Sequence, residues 1–183
     1  MSASSDASDP AGVGLRPTLI SDRGPDLRLR QGIVLLVGSL AFGLIVGRGP
    51  DTFFWTPLGI GLVYLAASLA GGRDGGYWAG ALVLCGWGAA VAYAREAQPD
   101  LDIAGLYLAG AGIGASLAVA ARRAGVKADP LGATLTVAVA GVILAFSGEW
   151  SELLEARTYA LFVGGVGLVN VVWAMVARPS SPG

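Results

Sequence analysis

An all-α, polytopic membrane fold is what this 183-residue sequence predicts: six transmembrane helices forming three antiparallel hairpins, with both termini on the cytoplasmic side. Three observations predict it. Charged residues make up 14% of the chain and hydrophobic ones 54%, with a mean hydropathy of +0.64, whereas a soluble domain carries about a quarter charged residues. Six apolar runs of near-spanning length follow one another. Arginine and lysine then fall unevenly on the connections between those runs.

The clearest run is Ile103–Ala121, with no charge in it, bounded by Asp100 and Asp102 before and by Arg122 and Arg123 after. Its length suits about 30 Å of hydrocarbon at 1.5 Å rise per residue. Gly32–Gly47, Phe53–Gly72, Tyr77–Ala94, Leu131–Ser147 and Thr158–Ala177 repeat the pattern. The first is short, so Arg30 and Arg48 would snorkel to opposite surfaces. Asp51 and Asp102 suit N-caps, and Asp129-Pro130 is a cap followed by proline at the first helical position. Trp55, Trp78 and Trp150 stand at run edges, where an indole favours the headgroup zone. Trp87 and Trp173 lie inside their runs and are expected to pack against other helices. Residues 151–157 (SELLEAR) extend the last helix or lie in the interface.

The domain plan is a disordered cytoplasmic tail over 1–30, a transmembrane domain over 31–178 and a short cytoplasmic tail over 179–183. The first segment is rich in Ser, Asp, Pro and Gly and buries too little apolar surface to offset its ordering entropy. No cleavable leader pattern opens the chain, so the first run is expected to be retained. Orientation follows from nine Arg and Lys residues on the side of the termini against three on the opposite loops. Those loops also carry seven acids, which makes the outer face acidic. Eleven arginines against one lysine, with abundant Ala, Gly and Val, point to a GC-rich prokaryotic genome and hence to its cell membrane.

Several function classes lose their requirements. A net charge of −1 and the lack of a basic patch argue against nucleic acid. Histidine is absent and Cys85 is the single cysteine, which removes a disulfide, the common metal ligand and the usual catalytic base. No ionisable residue falls inside a span, where a coupled pump or antiporter needs one. No cofactor motif occurs. The sequence therefore predicts no enzyme. It suggests a scaffold, an accessory subunit or a stress-associated protein, with a small uncoupled channel or carrier as the alternative.

Its partners would be the lipid bilayer and a homo-oligomer or larger membrane complex. Ser39/Gly43/Gly47 and Gly110/Gly114 follow small-xxx-small spacing, which lets backbones approach. That approach is packing within one chain, an oligomer interface or a deformable gate. Asn170 is the most polar side chain deep in a run, and its amide needs a partner in hydrocarbon. It belongs to an interhelical hydrogen bond or to a solute path, with Tyr64 and Ser116 as companion bundle-interior positions. Glu149, Glu152 and Glu155 share a helical spacing and are either solvated or a docking face for a basic partner.

The second helices of the three hairpins look alike. Gly59-Ile60-Gly61-Leu62, Gly110-Ala111-Gly112-Ile113 and Gly165-Val166-Gly167-Leu168 each precede a cytoplasmic arginine, and the period of roughly 50 residues suggests a triplicated hairpin. With Pro50 and Pro99 in outer loops, the chain over 32–178 resembles the HdeD-type family of small six-helix bacterial membrane proteins; the third outer loop lacks the proline. The resemblance implies a six-helix architecture and a link with acid stress. It brings no catalytic residues.

Overall fold

The computed structural model describes residues 24–46, 50–99, 102–146 and 156–176. It is all-α, with helices α1 (Pro25–Val46), α2 (Thr56–Ala70), α3 (Trp78–Ala97), α4 (Ile103–Arg123), α5 (Pro130–Phe146) and α6 (Ala156–Val176). Among the described residues, four stretches are long and apolar enough to cross a membrane: Pro25–Val46, Phe53–Ala70, Ile103–Arg123 and Arg157–Val176.

The ends follow local chemistry. The Asp102 carboxylate accepts from the Gly105 N–H at 2.8 Å and the Asp129 carboxylate from the Leu131 N–H at 3.0 Å, so both expected caps form. Asp51 does not stand at the N-cap of α2. Residues Pro50–Trp55 make a 3₁₀ turn instead, and α2 starts behind Trp55 with no side-chain cap and a proline in its first turn. α1 starts at Pro25 rather than near Gly32, so 25–30 are helical and not part of a tail. Proline is preset for a first helical position, and Asp26 in the first turn complements the helix dipole. α3 ends at Gln98, in the left-handed region at φ 42°, with Pro99 next.

Residue contacts fix the helix directions. Gln31, Gly38 and Phe42 of α1 meet Ala67, Val63 and Gly59 of α2, in reverse order. Gly32, Ser39 and Gly43 meet Gly167, Gly164 and Ala160 of α6, again in reverse. Gly61 of α2 lies on Cys85 of α3, and Leu58 on Gly88. Val83, Gly86 and Ala90 of α3 face Gly114 and Gly110 of α4. α1 and α3 therefore run one way, and α2, α4 and α6 the other. α5 rests on α3 through Gly132 and Thr136 beside Gly80. Among the described residues the main packing partner of α6 is α1, with a smaller contact to α2.

α3 is the enclosed helix. It packs on α2, α4, α5 and the 3₁₀ turn, and it buries Ala79, Ala81, Val83, Gly88, Ala90, Val91 and Ala92. Small side chains here let three neighbours approach, while Leu62, Leu108, Ile113, Leu161 and Phe162 on the outer helices remain exposed. On a membrane protein that exposure is the lipid-facing surface.

Trp173 departs from the expected interior packing. It is half exposed, and the Arg28 guanidinium lies 5.7 Å from the ring centroid. The early start of α1 carries Arg28 to the level of Trp173. At the opposite end, Arg95 lies 5.0 Å above Phe54. Each is within cation–π range.

Candidate functional site

Polar side chains gather where α1, α2, α6 and the α2–α3 connection converge. Gln31 is wholly buried, and its Nε2 donates to the Ala67 carbonyl at 3.2 Å. That carbonyl already accepts the Gly71 N–H at 3.1 Å. Gln31 Oε1 is buried and has no donor among the described residues. Gly71 makes room for the amide, since a Cβ there would lie 3.0 Å from Gln31 Cδ. Buried Ser68 donates its hydroxyl to the Tyr64 carbonyl at 2.8 Å, within its own helix.

Tyr64 and Tyr77 then link this pair to α6. Their ring centroids are 5.4 Å apart at an interplanar angle of 57°, within the range of a favourable aromatic pair. The Tyr77 hydroxyl accepts from Asn170 Nδ2 at 2.8 Å, and the same nitrogen donates to the Val166 carbonyl at 2.8 Å. Both amide hydrogens of Asn170 are therefore engaged. Around the rings lie Leu35, Ala67 and Val163, all buried. The cluster consists of neutral hydrogen-bonding groups in an apolar surround and contains no charged member. Its chemistry is helix-to-helix hydrogen bonding.

Of the three polar positions expected in the bundle interior, Tyr64 and Asn170 come together through Tyr77. Ser116 does not join them. It is exposed on α4, and its hydroxyl donates to the Gly112 carbonyl at 2.9 Å. Its helical phase puts it on the side away from Gly110, Gly114 and Ala118, which are the residues α4 buries against α3. Sequence reasoning missed Tyr77 and Gln31. The signals were present: a tyrosine directly after Gly75-Gly76, and an uncharged amide between Arg30 and the first apolar run.

The packing glycines serve contacts within the chain. A Cβ on Gly110 would lie 2.5 Å from Ala90 Cβ and 2.6 Å from the Gly86 carbonyl oxygen, and one on Gly114 would lie 2.7 Å from Val83 Cα. These positions tolerate only hydrogen. Gly43 is looser, with its nearest neighbour, Ala160 Cβ, at 3.4 Å. Gly47, Glu149, Glu152 and Glu155 lie outside the described residues.

An open apolar groove of about 570 Å³ runs along α6 between Thr158 and Asn170, lined by Leu161, Phe162, Gly165 and Val169. Leu161 and Phe162 are largely exposed, so the groove opens sideways from the helix. Asn170, and Val166 whose carbonyl it bonds, are shared by groove and cluster.

Compared with known protein families, curated proteins and solved structures, the chain finds no match. Its reading rests on its own residues.

Proposed function

We propose that this chain is a multi-pass membrane protein that works as a non-enzymatic scaffold or accessory subunit, presenting its surfaces to lipid and to other membrane proteins. One observation carries the reading: helix pairs meet backbone to backbone, beside a polar cluster that holds no charge and joins Asn170 to Tyr77. α3 against α4 at Gly86, Gly110 and Gly114, and α1 against α6 at Gly32 and Gly167, close at distances that admit no side chain. Such packing leaves no room for a solute between those helices.

The proposed topology has six spans in three sequential hairpins. α3 joins the four apolar spans as a helix enclosed by protein, which needs less lipid-compatible surface than an outer one, and α5 joins them as an apolar helix with an exposed face. Support for cytoplasmic termini comes from the distribution of charge. Arg28, Arg30, Arg73, Arg122, Arg123 and Lys127 lie at the end where α1 and α3 begin, and Arg95 and Arg157 at the other. That asymmetry supports a cytoplasmic position for the richer end in a prokaryotic cell membrane. The glycine motifs that resemble the HdeD-type family extend the proposal to a part in membrane stress.

Proteoliposomes test the function. Water, glycerol and small ions are expected to cross them no faster than empty liposomes of the same lipid. A protein-dependent flux that falls in Asn170→Leu would overturn the scaffold reading and establish a channel or carrier.

A further inference from the structure

At the end of the bundle where α3 begins, two connections distant in sequence are fastened together. The Lys127 backbone N–H donates to the Arg73 carbonyl at 2.8 Å, and Lys127 Nζ meets the Asp74 carboxylate at 2.8 Å. Trp78 holds the same turn, its Nε1–H donating to the Gly72 carbonyl at 2.8 Å. Arg73 from the α2–α3 connection is thereby brought beside Lys127, whose loop starts from Arg122 and Arg123 at the end of α4. All four side chains are exposed.

The carboxylates nearby are already engaged. Asp74 is paired with Lys127, and Asp129 Oδ1 caps α5. Among the described residues, Arg73, Arg122 and Arg123 meet no carboxylate. Three guanidiniums thus stand on one patch without an internal counter-charge. Gly72 and Gly125 sit in the two turns at φ +63° and +84° with open space where a side chain would stand, so the backbone between the cations is bare.

The surface directly beneath is apolar. Leu117 and Val119 of α4, and Leu131 and Leu135 of α5, are each more than half exposed, the two α4 residues within two turns of Arg122 and Arg123. A soluble anion would use the cations alone. A phospholipid uses both surfaces, with its phosphate on the guanidinium forks and its acyl chains along the leucines.

We propose that Arg73, Arg122 and Arg123 form a headgroup site for an anionic phospholipid at the cytoplasmic surface, with the Lys127–Asp74 pair fastening the two connections that carry them. The proposal rests on the membrane-spanning reading. Failure of that reading shows separately, as release of the protein into the aqueous fraction on alkaline carbonate extraction of membranes.

The test uses the full-length protein in a mild detergent with equal amounts of phosphatidylglycerol and phosphatidylcholine, and native mass spectrometry to count retained lipids. The wild type is expected to retain phosphatidylglycerol preferentially. Arg122→Gln with Arg123→Gln is expected to lower that preference by about fivefold per charge removed. Arg122→Lys with Arg123→Lys keeps most of it and shows that the fold tolerates change at these exposed positions. Arg95→Gln, at the opposite end, leaves it unchanged. Equal retention of the two lipids by the wild type, or an unaltered preference in the double Gln variant, overturns the proposal. So does displacement of phosphatidylglycerol by millimolar inorganic phosphate, which would make the patch a soluble-anion site.

Discussion

Asn170 and Gln31 are both amides in apolar surroundings, and their energetic roles differ. Asn170 places both hydrogens on acceptors, one of them on another element, so the bond to Tyr77 ties α6 to the start of α3. Interhelical bonds of this kind contribute about 0.6–2 kcal/mol. Asn170→Leu and Tyr77→Phe are each expected to lower thermal stability in detergent by about that amount. The double variant should fall short of the sum, because the two changes remove the same bond. Gln31 donates to an oxygen that already has a donor and leaves Oε1 unpaired. Gln31→Met, similar in shape, is therefore expected to leave the melting temperature unchanged or raise it, since an unpaired buried acceptor costs about 1–3 kcal/mol. A loss larger than that of Asn170→Leu would show that Oε1 has a donor after all. At this scale the sequence revealed polarity out of place, and so Asn170 was legible. Ser116 was not separable from Tyr64 by polarity alone. It needed the direction of the side chain around α4, which depends on which face α3 occupies.

Helix boundaries were legible to within a few residues for five of the six runs, because an apolar run between charges has abrupt edges. α1 was the exception. Arg28 and Arg30 interrupt its hydropathy, yet a helix carries them easily, since one lies along Trp173 and the other is exposed. Pairing between helices was less legible. A glycine within an apolar run reads alike whether it faces a neighbour or the outside. Gly114 and Gly112 make the point on one helix: a Cβ on the first meets Val83, and a Cβ on the second meets nothing within 4 Å. Gly114→Val is accordingly expected to destabilise by about 3 kcal/mol, the upper range for overpacking. Gly112→Ala is expected to be neutral or slightly stabilising, helped by better helix propensity of up to about 1 kcal/mol. Thermal unfolding of the two purified variants checks both. Equal destabilisation would mean that the outer face of α4 is covered in the native protein.

For the molecule as a whole, alternating helix directions and the segregation of arginines make one joint statement about orientation. In a Cys85→Ala background, a single cysteine at position 122 is expected to react with a membrane-impermeant maleimide only after the cells are permeabilised. One at position 97, beyond the exposed Arg95, reacts in intact cells. The reverse pattern would invert the topology, and labelling of both in intact cells would remove the spanning arrangement. The antiparallel pairing of α1 with α2 and of α3 with α4 could be read along the chain, but the placement of these pairs beside one another could not. Sequential runs report order, whereas side-by-side packing depends on shape at contacts such as Gly32 with Gly167, far apart along the chain.

That contact joins the first helix to the last. A ribosome delivers α1 to the bilayer well before α6 exists, and through all of that interval the Gly32, Ser39 and Gly43 face of α1 has no permanent occupant. Completion of the bundle is consequently a late event in biosynthesis, tied to the emergence of α6 rather than to that of the helices before it. Until then α1 is open to pairing with α1 of a neighbouring nascent chain, and a truncation that removes α6 would make that hazard permanent.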